Sequence, residues 1–210
     1  MSDELTVFVV DDDEAMRRSL EWMLSQSGKT VRTFASGTAF LDAYDPQQRG
    51  CLVLDVCMPD MTGLELQQEL LTRCWPLPVV IVTAHADVAM AVRAMKSDAI
   101  DFIEKPFTRD AMLGAIDRAL QREPPMRQKC DNQLAFRQHY GRLTPRERQI
   151  MQLLVRLEQT KRVAYKLGIS KRTADIHRSS ILSKMQADSL TELALQIQAA
   201  MPELLSQAAG

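Results

Sequence analysis

The 210-residue chain lacks any apolar run long enough to cross a bilayer, and its first residues, MSDELTVF, carry no basic segment ahead of a hydrophobic one. Neither membrane insertion nor secretion is expected, and the expected compartment is the cytosol. Cys51, Cys57, Cys74 and Cys130 lack the paired spacing of a metal cluster, so scattered core thiols are the better reading than ligands or disulfides. Internal repeats and low-complexity tracts are missing as well. Each half of the chain is also short of one sign of charge. Residues 1–120 hold 11 Lys and Arg against 19 Asp and Glu, a balance of −8, whereas residues 121–210 hold 15 against 8, a balance of +7. One half repels phosphate backbones and the other attracts them.

The length suffices for two small domains, each with its own core. Up to residue 120, short β-rich runs alternate with amphipathic stretches. TVFVV, TVRTF, CLVLD, PVVIVT and AIDFIE are the expected strands, with helices over 16–26, 38–43, 64–73, 88–96 and 109–120. Near-continuous apolar strands separated by helices imply an α/β fold: a flavodoxin-like (βα)5 unit whose parallel sheet is covered on both faces. In the strand order 2-1-3-4-5, function lies at the carboxyl edge of the sheet.

Pro124–Pro125 is expected to close the fifth helix, because proline offers no N–H and restricts the residue before it. Beyond it, Met126, Cys130 and Leu134 recur at a spacing of four, as do Phe136 and Tyr140. A helical connector and a swinging linker both remain open. From Leu143 the pattern is helical throughout. Thr144, Pro145 and Glu147 make a capping box with proline at the first helical position. Two helices flank Leu167-Gly168-Ile169, with Ser170 capping the second, and SLTELALQIQAAM supplies a fourth. The expected division is a domain over 1–122, a linker over 123–142 and an all-α helix-turn-helix domain over 143–210.

Asp11 and Asp12 follow the first strand and Asp55 ends the third, so adjacent strands bring three carboxylates to one sheet edge. Three anions together call for a cation, and Mg²⁺ suits a site of one or two carboxylates plus a phosphate oxygen. A solvated acidic turn is the competing reading, favoured for an Asp pair alone. Thr83 and Lys105 end the fourth and fifth strands at the same edge, and together the five residues suit a phosphoryl group: an attacking carboxylate at Asp55, an ammonium, a hydroxyl and a metal. His85 reads as a phosphodonor or general acid, or, better, as a solvent-facing loop residue.

VVDDDE, LVLDVCMPDMTGLEL, VIVTAHADVAMAVRAMK and DFIEKPF together resemble the receiver domain of two-component response regulators, across essentially all of residues 5–120. The resemblance implies that Asp55 is the phospho-acceptor and that Asp11, Asp12, Asp55 and the backbone carbonyl of Cys57 hold Mg²⁺. It further implies that Thr83 and Phe102 form a switch pair, that Lys105 contacts the phosphoryl group and that the bond before Pro106 is cis. Asp13 is then only a neighbour. Asp98 and Ala86 stand where similar sequences often have glycine. Aspartate tolerates the left-handed backbone better than most residues, while Ala86 stiffens the loop after Thr83 or does nothing.

Between Arg142 and Lys184 eleven basic residues face three acidic ones. In the helix after Ser170, Ala174, His177, Ile181 and Met185 make the buried stripe, and Arg172, Asp175, Ile176 and Ser179 the opposite face. A packed back, a polar front and a preceding basic helix describe a helix-turn-helix. Entering a major groove, Asp175 could accept from cytosine, Arg172 read guanine or grip phosphate, and Ile176 touch a thymine methyl; Thr173 and Ser179 lie on the same helix. Lys161, Lys171, Arg178 and Lys184 are the expected phosphate contacts. Residues 143–193 resemble the four-helix DNA-binding domain of the NarL/LuxR class, FixJ branch. Leu157-Glu158, where that class commonly has Gly-Leu, is a departure that removes a glycine cap.

The resemblance implies a transcription factor that takes a phosphoryl group from a sensor histidine kinase, dimerises through residues 88–104, binds double-stranded DNA and acts through RNA polymerase. It is not expected to be an enzyme. A Mg²⁺-dependent phosphohydrolase would want a second acid near Asp55, where Met58 and Pro59 stand instead. A constitutive DNA-binding protein with an inert receiver is the third possibility.

Overall fold

A computed structural model describes residues 5–156 and 159–206. The chain divides into two compact units, Met1–Cys130 and Asp131–Gly210. In the first, strands β1 (Thr6–Val10), β2 (Thr30–Phe34), β3 (Gly50–Asp55), β4 (Val79–Thr83) and β5 (Asp101–Glu104) pair in parallel in the order β2-β1-β3-β4-β5. Helices α1 (Glu14–Ser25), α2 (Gly37–Ala43), α3 (Gly63–Thr72), α4 (Val88–Lys96) and α5 (Arg109–Gly141) complete the flavodoxin-like alternation.

The strands are apolar without a break because alternate residues enter different cores. Phe8, Leu52, Leu54 and Ile81 pack with Phe40 of α2, Leu66 of α3 and Ala94 of α4 on one face. Val7, Val9, Val53 and Val82 pack with Leu20 and Leu24 of α1 and Met112 and Ile116 of α5 on the other. Each of these large side chains, fully buried, contributes about 1.5–3 kcal/mol. Register then sets the site: Val10 pairs with Leu54, Asp55 with Val82 and Thr83 with Glu104, so Asp11, Asp55, Thr83 and Lys105 come to one edge.

The fifth helix departs from expectation: α5 runs through Pro124 and Pro125 to Gly141. A helical φ suits the proline ring, and what proline removes is the bond to the carbonyl four residues back. Pro124, Pro125 and Gln121 lie on the exposed side of the helix, where water can replace the lost partner. On the inner side Glu123 is fully buried, bonded by Arg49 (Nη2 2.9 Å) and Arg127 (Nε 2.6 Å), while Arg127 also donates to the carbonyls of Pro46 and Gln48. Burial raises the Glu123 pKa, but the two guanidinium groups outweigh it and hold the carboxyl below its ordinary value.

The second unit builds its core from Phe136, Leu143, Ile150, Leu154, Val163, Ile181, Met185, Leu193 and Ile197. Its helices are α6 (Pro145–Leu154), α7 (Thr160–Leu167), α8 (Lys171–Met185), α9 (Leu190–Ala200) and α10 (Glu203–Ser206). The Thr144–Glu147 capping box forms as its spacing indicates, and Ser170 caps α8 by accepting from the Thr173 N–H. Gly168 ends α7 at φ +63, the left-handed conformation that makes the tight turn into α8. The Leu157-Glu158 departure lies outside the described residues.

Glu147 does more than cap. It is 4% exposed and receives Ser180 Oγ (2.7 Å) and both contacts of Lys184 Nζ (2.8 and 2.7 Å), tying the start of α6 to α8. Burial opposes ionisation, but these bonds and the Thr144 N–H hold the carboxyl down to about 2.

Two outcomes follow from these buried acids. Glu123→Ala, which leaves two guanidinium groups facing each other, should cost the first unit about 3–5 kcal/mol. Both tryptophans, Trp22 and Trp75, lie in that unit, so the urea midpoint of their emission measures the loss. Glu147 is depressed from 4.5 to about 2, so its contribution is complete above about pH 4.5 and is lost as pH falls toward 2. The stability gap between wild type and Glu147→Gln, followed by helical circular dichroism, should therefore be constant at neutral pH and close across that window.

Candidate functional site

At the carboxyl edge of the sheet, Lys105 Nζ stands between two carboxylates, 2.7 Å from Asp11 Oδ2 and 2.6 Å from Asp55 Oδ1. Asp11 and Asp55 are buried, with 2% and 5% of their surface exposed. The remaining oxygens accept from backbone: Asp55 Oδ2 from the Cys57 N–H (2.6 Å) and Asp11 Oδ1 from the Asp13 N–H (2.9 Å). Arg17 of α1 donates to the carbonyls of Asp11 and Asp12 and so fixes the turn. The Lys105–Pro106 bond is cis.

The electrostatics are those of two buried anions sharing one cation. Burial raises the pKa of Asp11, and the charge on Asp55 adds to it, against the pull of Lys105. For Lys105 burial acts downward, but its bonds to Asp11 and Asp55 prevail and hold the ammonium above its usual value. With Asp12 exposed beside them, the three carboxylates exceed the charge of Lys105 by two. Their donors are hard oxygens, the set Mg²⁺ prefers. Among the described residues no three His, Cys, Asp or Glu side chains converge on one point. A magnesium ion here would need oxygen donors beside the aspartate side chains, such as a backbone carbonyl.

Thr83 is fully buried, and its hydroxyl accepts from the His85 N–H (3.2 Å). Phe102 is half-buried and packs against the core cluster that holds Leu66 and Ala94. His85 is solvent-facing. Asp13 caps α1, accepting from Ala15 N and Met16 N, a role beyond that of a bystander. Asp98 adopts φ +61, the left-handed conformation that aspartate tolerates. Sequence reasoning missed Gly63, whose backbone approaches so closely that a β-carbon would overlap the Asp55 carbonyl oxygen. Its position beside the Thr62 capping box was the available signal.

In the second unit, Ala174, Ile181 and Met185 of α8 are buried and His177 is half-buried, so the expected back of the helix faces the core. Lys171, Arg172, Asp175, Ile176 and Ser179 line one shallow concavity on the front, with Ile176 60% exposed. Asp175 is paired with Lys171 at 3.3 Å. Thr173 Oγ1 lies 2.8 Å from Ser170 Oγ and belongs to the cap. Arg178 and, on α7, Lys161 are exposed. Lys184 binds the buried Glu147 through its ammonium, with 36% of its side chain exposed.

Residues 7–117 match the response regulator receiver domain, and residues 141–197 match the bacterial regulatory proteins of the luxR family. The transcriptional regulatory protein FixJ of Azorhizobium caulinodans is 43% identical over 193 residues, spanning 92% of each chain. The response regulator TodT of Pseudomonas putida is 36% identical, spanning 92% of this chain and 86% of its own. Among solved structures, the response regulator StyR superposes with a TM-score of 0.60 at 42% identity, covering 93% of this chain and 98% of its own. Full-length FixJ from B. japonicum gives 0.56 at 38% identity, covering 95% and 98%. No helix among the described residues is long and apolar enough to cross a membrane. With the acidic edge in one unit and the helix-turn-helix in the other, the chain belongs to the two-component response regulators that join a receiver domain to a LuxR-type DNA-binding domain, and it is homologous to FixJ.

Proposed function

We propose that Asp55 accepts a phosphoryl group from a sensor histidine kinase and that this event controls DNA binding by α8. What supports this most is the setting of Asp55: a buried carboxylate with one oxygen on Lys105 and the other on the Cys57 N–H. The Asp55 oxygen forms the bond to phosphorus as the bond to the kinase histidine breaks, and Lys105 stays in reach of the charge on the phosphoryl oxygens. Mg²⁺, held by Asp11, Asp12, Asp55 and the Cys57 carbonyl, would neutralise further phosphoryl charge.

A phosphoryl group on Asp55 offers an acceptor to the Thr83 O–H, whose oxygen accepts from the His85 N–H. Movement of Thr83 frees space toward Phe102, which packs against the core cluster that holds Leu66 of α3 and Ala94 of α4. Helix α4 carries Val88, Val92 and Met95 at 80%, 46% and 51% exposure, one apolar stripe at helical spacing. We assign this stripe to a receiver homodimer favoured in the phosphorylated population, a shift of a few kcal/mol. The working division is a receiver over 1–122, a linker over 123–142 and a DNA-binding domain over 143–210, the last pairing on two half-sites and activating transcription through RNA polymerase.

On DNA, Arg172, Asp175, Ile176 and Ser179 are assigned to base edges and Lys161, Lys171 and Arg178 to phosphates. Thr173 sets the helix start, and Lys184 holds the helix on its scaffold with at most one donor left for phosphate.

Incubation with Mg²⁺ and acetyl phosphate should add one phosphoryl group to wild type and none to Asp55→Asn, read by intact mass. Equal operator affinity of the two proteins after this treatment would favour constitutive binding instead. Val92→Asp should accept the phosphoryl group yet remain monomeric by light scattering. Arg172→Ala should lose about 1–3 kcal/mol on the cognate site and relax one base position, whereas Lys161→Ala should weaken all sequences alike and lower the salt slope by about one.

A further inference from the structure

Cys74 stands at an unusual place. It follows α3, where the Cys74 N–H donates to Leu71 O (3.1 Å) and the Trp75 N–H to Leu70 O (2.9 Å), the pair of hydrogen bonds that closes a helix through one left-handed residue. That residue is ordinarily glycine, yet here a β-carbon is carried at φ +55. The side chain held there points at α5: Cys74 Sγ donates to the carbonyl oxygen of Cys130 at 3.8 Å, across 56 positions of sequence.

Cys130 is on the inner face of α5. Ala119, Glu123, Arg127 and Cys130 succeed one another at spacings of four, four and three, and the first two are fully buried. Cys130 is half-buried and therefore reachable from solvent, while Cys74 behind it is 7% exposed. The other two thiols are elsewhere. Cys51 is sealed in the sheet, where burial pushes its thiol up to about 12, and Cys57 lies beside the acidic pocket.

We propose that Cys74 and Cys130 are a peroxide-sensitive thiol pair that closes to a disulfide, fastening α5 beyond its two prolines to the turn after α3. Cys130, the accessible thiol, attacks hydrogen peroxide; the O–O bond breaks, water leaves and Cys130 carries a sulfenic acid. The Cys74 sulfur then attacks the Cys130 sulfur, the S–O bond breaks and a second water leaves. Two thiols are oxidised, one peroxide is reduced to two waters, and a dithiol reductant reverses the bond. The Cys74 sulfur lies 3.8 Å from the backbone carbonyl of its partner residue, which puts the two cysteines side by side in the fold.

The test uses the full chain, first reduced, then exposed to hydrogen peroxide, alkylated and mapped without reduction. The expected result is a Cys74–Cys130 peptide with loss of two hydrogens, reversed by dithiothreitol, and a urea midpoint of tryptophan emission that rises on oxidation and falls back on reduction. Cys130→Ser and Cys74→Ser should each lose the cross-link and the reversible rise. Should one serine variant fail to fold, the other still decides. Oxidation confined to unlinked sulfenic and sulfinic acids, or a cross-link that pairs Cys57 with either thiol, would overturn the proposal.

Discussion

The lysine between Asp11 and Asp55 is the constraint on which the first unit's arrangement turns. Two buried carboxylates so close would otherwise protonate or drive apart, and the strand order that brings β1 and β3 together leaves them no room to separate. Lys105 is delivered from the far strand β5, so the charge balance of the site is spread over the full width of the sheet. A change that loosens β5 is therefore also a change in the ionisation of Asp11. Structural and chemical roles meet in one ammonium group.

The edge was legible in the sequence because it depends on little beyond strand ends. Asp11, Asp55, Thr83 and Lys105 each stand at or just past the end of a strand, and a parallel sheet gathers such ends at one side whatever its helices do. The double proline misled for a physical reason. Local rules for proline weigh a missing N–H and a ring clash, while the helix here is held by Glu123, Arg49 and Arg127, the second of which comes from a loop over seventy residues away. Gly63 had a local signal in the Thr62 cap beside it, but its need for a bare backbone arises from the Asp55 carbonyl across a turn.

The second unit was read well wherever a cap or a spacing was enough. Thr144, Ser170 and Gly168 act as their local signals indicate, and the buried stripe of α8 matches the expected one apart from the half-exposure of His177. What local pattern does not reveal is the ion pair of Lys184, because nothing in its own helix shows an acid waiting on another. Glu147 satisfies a cap at the start of α6, and its other oxygen contacts then require a partner that only the folded domain supplies.

That buried acid bears on how such a domain could be altered. Arg172, Asp175, Ile176 and Ser179 line the concavity on the front of α8, whereas the groups Glu147 holds, Ser180 and Lys184, belong to the later part of the helix. The front of the helix is thus exchangeable while its seat is not. Transplanting four outward side chains should retarget the domain on an unchanged scaffold, whereas transplanting the whole helix would succeed only into a recipient that carries its own glutamate in the matching cap.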